Sequence, residues 1–207
     1  MTILDRIFLL VTGLIAIYLI VYFVKRQKDS TTACSCNIYY LISFAVLLVA
    51  GVLLIIFGWN ALGNNFVAVV AGLIPFGLAS GLISRFYPKH EKWYLTLMII
   101  GLILITVTRY ANLVTTAKIV YPLFHAIAGL TIFFLPIFGI TAAKVKGSFI
   151  CVTIGGALIG LGGIALAFLK AGKQLLFFSQ DFVLMILAPL LFLTALFFAI
   201  GFIKGEA

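Results

Sequence analysis

Charge is scarce in this chain. Of 207 residues only 14 are basic and 5 acidic, 9% together, while 65% are hydrophobic. Soluble domains carry about 25% charge and about 45 to 50% apolar residues, so the shortage excludes an ordinary soluble protein. Carboxylates are scarcest of all, and none falls inside a long apolar run. That excludes the buried Asp or Glu relay, or cation site, of the usual ion pump.

Other absences narrow the chemistry further. No His-x-x-x-Glu or Gly-x-Ser-x-Gly arrangement marks an intramembrane hydrolase, and no lysine interrupts the last apolar run, where a retinal Schiff base would need one. Cysteine occurs three times, at 34, 36 and 151. A lone Cys-x-Cys lacks the four donors of a zinc site, and Cys34 and Cys36 are expected as reduced thiols in a cytoplasmic loop with no chemical role. No catalytic residue, no metal site and no particular cofactor is therefore expected. The net charge of +9 is not a nucleic-acid signature, because the basic residues stand singly or in small groups between apolar runs, as in proteins that orient themselves in a membrane.

What is there is a series of apolar segments punctuated by those charges. Arg6 to Lys25 encloses 18 uncharged residues, enough for one crossing. Asp29 to Arg85 encloses 55, enough for two helices with a turn, and Trp59-Asn60-Ala61-Leu62-Gly63-Asn64-Asn65 supplies chain-breaking residues for that turn. Between Lys92 and Arg109 lie 16 uncharged residues, about 24 Å of helix against a hydrocarbon layer of about 30 Å. Arg109 must therefore lie at the outer edge or within the bundle. The expectation is an all-α polytopic bundle in one integral membrane domain, 1–207, with seven transmembrane helices near 7–24, 38–58, 66–84, 93–113, 119–141, 148–169 and 182–203.

Lys and Arg divide nine to five between alternate connections. One side holds residues 25, 26, 28, 85, 89, 92, 144, 146 and 204, and the other holds 6, 109, 118, 170 and 173. The richer side is expected to be cytoplasmic, placing the N-terminus outside and the C-terminus inside, in a prokaryotic plasma membrane. The first span carries no small-residue cleavage site of a signal peptide. Behind it, spans 2 and 3, 4 and 5, and 6 and 7 form three hairpins. Gly51-Val-Leu-Leu-Ile-Ile-Phe resembles Gly101-Leu-Ile-Leu-Ile-Thr-Val, a weak sign of an internal repeat.

Small residues set the expected packing faces. Gly77 and Gly81 share small-xxx-small spacing, as do Gly156 and Gly160, with Gly163 on the same helix; such spacing lets backbones approach closely. The rival reading is that these glycines make room for a flat ligand. His125 is the one ionisable residue well inside a span. With Arg109, Tyr110, Asn112 and Tyr121 it could form a polar cluster, a candidate ligand-binding site, since an intramembrane ionisable group marks function by default. Haem held by two histidines would need a second chain, because His90 falls in the opposite loop.

Ala33-Cys34-Ser35, Arg109 and His125-xxx-Gly129-xxx-Phe133 loosely resemble the membrane transpeptidases called exosortases and archaeosortases, which implies a Cys34 thiolate partnered by Arg109 and His125. The chain departs from that family in topology, because Cys34 falls on the membrane face opposite its partners. The leading expectation is a non-enzymatic membrane subunit that contacts lipid, packs against other membrane subunits or itself, and holds lipid, quinone or pigment. The alternatives are a small transporter or channel for a neutral or anionic solute, and a redox subunit with haem or quinone near His125.

Overall fold

The computed structural model describes residues 1–170 and 179–205; Lys173 lies outside them, as does the side chain of Lys170. The described residues form eight α-helices and no strand. These are α1 (Ile3–Lys28), α2 (Ser35–Phe57), α3 (Asn65–Ala71), α4 (Leu73–Phe86), α5 (Glu91–Tyr110), α6 (Val114–Thr141), α7 (Ile150–Lys170) and α8 (Gln180–Gly205). With α3 and α4 counted as one broken span, seven segments are long and apolar enough to cross a membrane. The protein is an integral membrane helix bundle with its termini at opposite ends.

Helix α1 overruns its apolar span at both ends, and its start is capped by polar side chains. Thr2 and Asp5 form a reciprocal capping box at the start of α1. Span 3 departs from the expected single helix, and proline is the reason. Pro75 has no N–H to give the Ala71 carbonyl four residues back, and its ring crowds that group, so the helix breaks at Gly72. Pro122, Pro136 and Pro189 instead lie within continuous helices. Near Pro136 a neighbouring helix contributes a hydrogen bond, as Thr153 Oγ1 donates to the Phe133 carbonyl at 2.9 Å.

The turn expected at residues 59–65 is a 3-10 segment, Gly58–Gly63, with Ala61 buried. Gly58, at φ 62 and ψ −159, opens it in a conformation essentially confined to glycine. Asn64 then caps α3, its side chain accepting from the Phe66 and Val67 amides. Span 4 ends three residues earlier than expected, because Asn112 adopts the left-handed conformation, at φ 53. The Leu113 amide bonds to the Thr108 carbonyl and that of Asn112 to the Arg109 carbonyl, a Schellman closure of α5.

Helices α1, α2, α4, α6, α7 and α8 pack in that order into a ring that closes where α8 meets α1, and α5 lies outside it against α4 and α6. Each expected hairpin partner pair is in contact. Toward the C-terminal end the ring is filled by aromatic side chains, with Phe202 at the hub. Its ring centroid lies 4.6 Å from Tyr40, 5.4 Å from Phe23, 5.7 Å from Phe149 and 6.0 Å from Phe44. At the same end Glu91 joins three helices, accepting from Tyr39 on α2 at 2.9 Å and Ser84 on α4 at 2.8 Å.

The expectation of two reduced thiols at the first turn is not met, since Cys34 and Cys36 are joined as a disulfide. Cys34 is extended as the residue before α2 and Cys36 lies in its first turn, which puts their Cα atoms 5.1 Å apart, within bonding range. In the loop just before them, hydrogen bonds from the Thr31 amide and hydroxyl lower the pKa of Asp29.

Candidate ligand groove between two helices

Helices α6 and α7 place small and polar residues at helical spacing on facing surfaces. On α6 the sequence Lys118, Tyr121, Pro122, His125, Gly129, Phe133 returns to one face every three or four residues. On α7 the facing positions are Gly156, Gly160, Gly163 and the larger Leu161 and Ile164. These residues line a groove of about 770 Å³.

Two close contacts bracket the gap. A Cβ built on Gly156 would stand 2.6 Å from Ile132 Cγ2, and one on Gly163 would stand 2.5 Å from His125 Nε2, so both positions need glycine. Gly160 on α7 and Gly129 on α6 have nothing within 4 Å of a built Cβ. The helices therefore touch at two points and stand apart between them. Gly160, expected as a packing residue, faces open space instead. Gly77 and Gly81 do pack closely, Gly77 against Ser43 and the Tyr39 carbonyl and Gly81 against the Tyr40 ring.

The expected polar cluster is partly assembled. The Arg109 guanidinium lies 5.1 Å from the centroid of the Tyr121 ring. Tyr121 in turn stacks on His125, with centroids 5.7 Å apart and planes 19° from parallel, as residues four apart on a helix can. This gives a column of three groups running from the last turn of α5 into the groove. A cation over an aromatic face is worth about 0.5 to 2 kcal/mol, depending on desolvation. Arg109 also sits near the C-terminus of α5, where the helix dipole favours positive charge. Its Nε is buried with no hydrogen-bond partner among the described residues.

Tyr110 and Asn112 do not join the column. Tyr110 is exposed on the outer side of α5, and Asn112 is exposed in the turn, where it closes the helix. Sequence reasoning missed Lys118, Gly129 and Phe133 as lining residues, although their spacing with His125 on one helical face was the available signal. It also missed Glu91, which nothing in the local sequence sets apart from a solvated charge.

A second cavity, of about 420 Å³, lies at the opposite end near Arg26, Arg85 and Lys144. Lys144 and Arg26 are engaged within the protein. Lys144 donates to the Phe86 carbonyl at 3.5 Å and lies over the Tyr87 ring, and Arg26 donates to Tyr22. Cys34 lines this cavity, whereas His125 lies near the middle of α6, about 24 Å of helix from Thr141, the end nearer this cavity. The Cys34, Arg109 and His125 of the transpeptidase resemblance are thus not brought together. Among the described residues no group of three or more His, Cys, Asp or Glu side chains could hold a metal ion.

No family model, curated protein or solved structure matches the chain.

Proposed function

We propose that the chain is a non-enzymatic membrane subunit that holds a lipid-like amphiphile in the groove between α6 and α7 and packs beside other membrane proteins. The observation that carries this reading is the groove's construction. It is kept open by Gly129 and Gly160, lined mostly by apolar groups, and polar only toward the end with Lys118, Tyr121 and His125. An amphiphile has the same division between tail and head. A quinone or pigment tail would suit the apolar part as a lipid chain does.

A transporter would need a path through the ring, and the aromatic packing around Phe202 argues against one. A redox role is less favoured because His125 Nε2 abuts Gly163, leaving its ring little room for a metal. The proposed orientation keeps the C-terminus in the cytoplasm of a prokaryotic cell, on the strength of nine basic residues at that end. The Cys34–Cys36 bond argues the other way, since disulfides persist in oxidising compartments. The charge count carries greater weight because it draws on three separate connections and the end of α8.

Native mass spectrometry after extraction in mild detergent tests the reading. The expected result is a protein that carries a bound amphiphile and copurifies with a membrane partner or a second copy. A bare monomer without adducts would contradict it.

A further inference from the structure

We propose that the occupant of the α6/α7 groove is a membrane lipid with an anionic headgroup, its head at Lys118 and its chain along Gly129 and Gly160. This rests on the reading that the groove holds an amphiphile, and it adds the charge of the head and the direction in which the lipid lies.

Three observations support the choice. Lys118 lines the groove at the end nearer the start of α6, where a headgroup would lie. Arg109 lies over the ring of Tyr121, itself a lining residue, and adds positive charge near that end of the groove. No Asp or Glu lines the groove among the described residues, so no carboxylate of the groove competes for these cations. A choline head would bring a second positive group to Lys118, whereas a phosphate with no compensating ammonium complements that charge.

The length also fits. From Lys118 to Phe133 the α6 wall runs about 22 Å, more than the roughly 15 Å of one leaflet's hydrocarbon. Past His125, the lining side chains named above offer no hydrogen-bond donor or acceptor, so only an apolar chain could lie there without losing polar contacts.

The experiment uses the full chain in phosphatidylcholine bilayers doped with phosphatidylglycerol or phosphatidylcholine bearing a photoreactive group in the acyl chain, with labelled peptides mapped by mass spectrometry. The inference predicts that groove peptides spanning Gly129 to Phe133 and Gly156 to Ile164 are labelled about fivefold more by the anionic probe, the preference expected from roughly 1 kcal/mol for the one cation that lines the groove, Lys118. Labelling of the exposed α1 face around Leu10 and Leu14 should show no such preference. Lys118→Gln should bring the two probes close to parity, while Gly160→Leu, which adds bulk where space is open, should lower labelling by both.

Equal groove labelling by the two probes in the natural sequence, still lost in Gly160→Leu, overturns the headgroup assignment and leaves the amphiphile reading standing. An anionic preference that survives Lys118→Gln overturns the direction proposed for the lipid. Groove labelling no greater than that of the α1 face, and insensitive to Gly160→Leu, overturns both readings.

Discussion

A methyl group on Gly163 would stand 2.5 Å from Nε2 of His125, so the histidine ring and the glycine backbone are in closest possible contact across α6 and α7. That contact is one of the two points where the walls of the groove meet. Gly163→Ala should displace the ring or separate the helices and cost about 1 to 3 kcal/mol, as overpacking does elsewhere. Gly160→Ala, one turn away and facing open space, should change stability by less than about 0.5 kcal/mol. Thermal unfolding of both variants in the same detergent checks the contrast, and equal losses would show that the two glycines do not differ as described.

The aromatic hub should dominate the packing energy. Phe202 is fully buried and meets rings from α1, α2 and the turn just before α7. Phe202→Ala should cost about 3 kcal/mol, the lower end of the range for buried phenylalanine, because lipid replaces water as the alternative surroundings and mainly dispersion contacts are lost. Ile103→Ala, on the exposed face of α5, should be nearly neutral. Chemical unfolding of the two variants compares them directly.

The Arg109–Tyr121 pair can be separated from burial. Tyr121→Phe keeps the ring under the guanidinium, whereas Tyr121→Leu removes it. A double-mutant cycle with Arg109→Gln should return a coupling of about 0.5 to 2 kcal/mol for the leucine variant and close to none for phenylalanine. Equal coupling for both would move the interaction from the ring face to the hydroxyl.

Pro75 accounts for the break between α3 and α4. Pro75→Ala restores an N–H that can reach the Ala71 carbonyl, so the two helices should join through Gly72. Hydrogen exchange on that variant should then find the amide at position 75 protected. Rapid exchange there would mean that Gly72, rather than Pro75, ends the first segment.

Much of the fold was legible because lipid imposes one rule on every crossing segment: its backbone must bond to itself and its charges must lie at the ends. Gaps between charges therefore marked seven spans and put Cys34 and His125 at opposite ends. Helix termini were less legible. Asn112 is polar and near Arg109, which points to a ligand contact, but its conformational tolerance is what ends α5. The candidate site was half visible, since His125, Tyr121 and Arg109 stood out as ionisable or aromatic groups near a span. Gly160 shows where sequence reading runs out. It has the same small-xxx-small spacing as Gly156, and only the identity of the residue across from it, Ile132 for one and open space for the other, separates a packing contact from a groove.

Every functional reading above depends on seven crossings and therefore on chain ends in different compartments. Peptide tags at the two termini, probed with an impermeant protease in intact cells and again after permeabilisation, test this most directly. The expected result is an N-terminal tag cleaved in intact cells and a C-terminal tag cleaved only after permeabilisation. Both tags cleaved, or both protected, in intact cells would contradict the account.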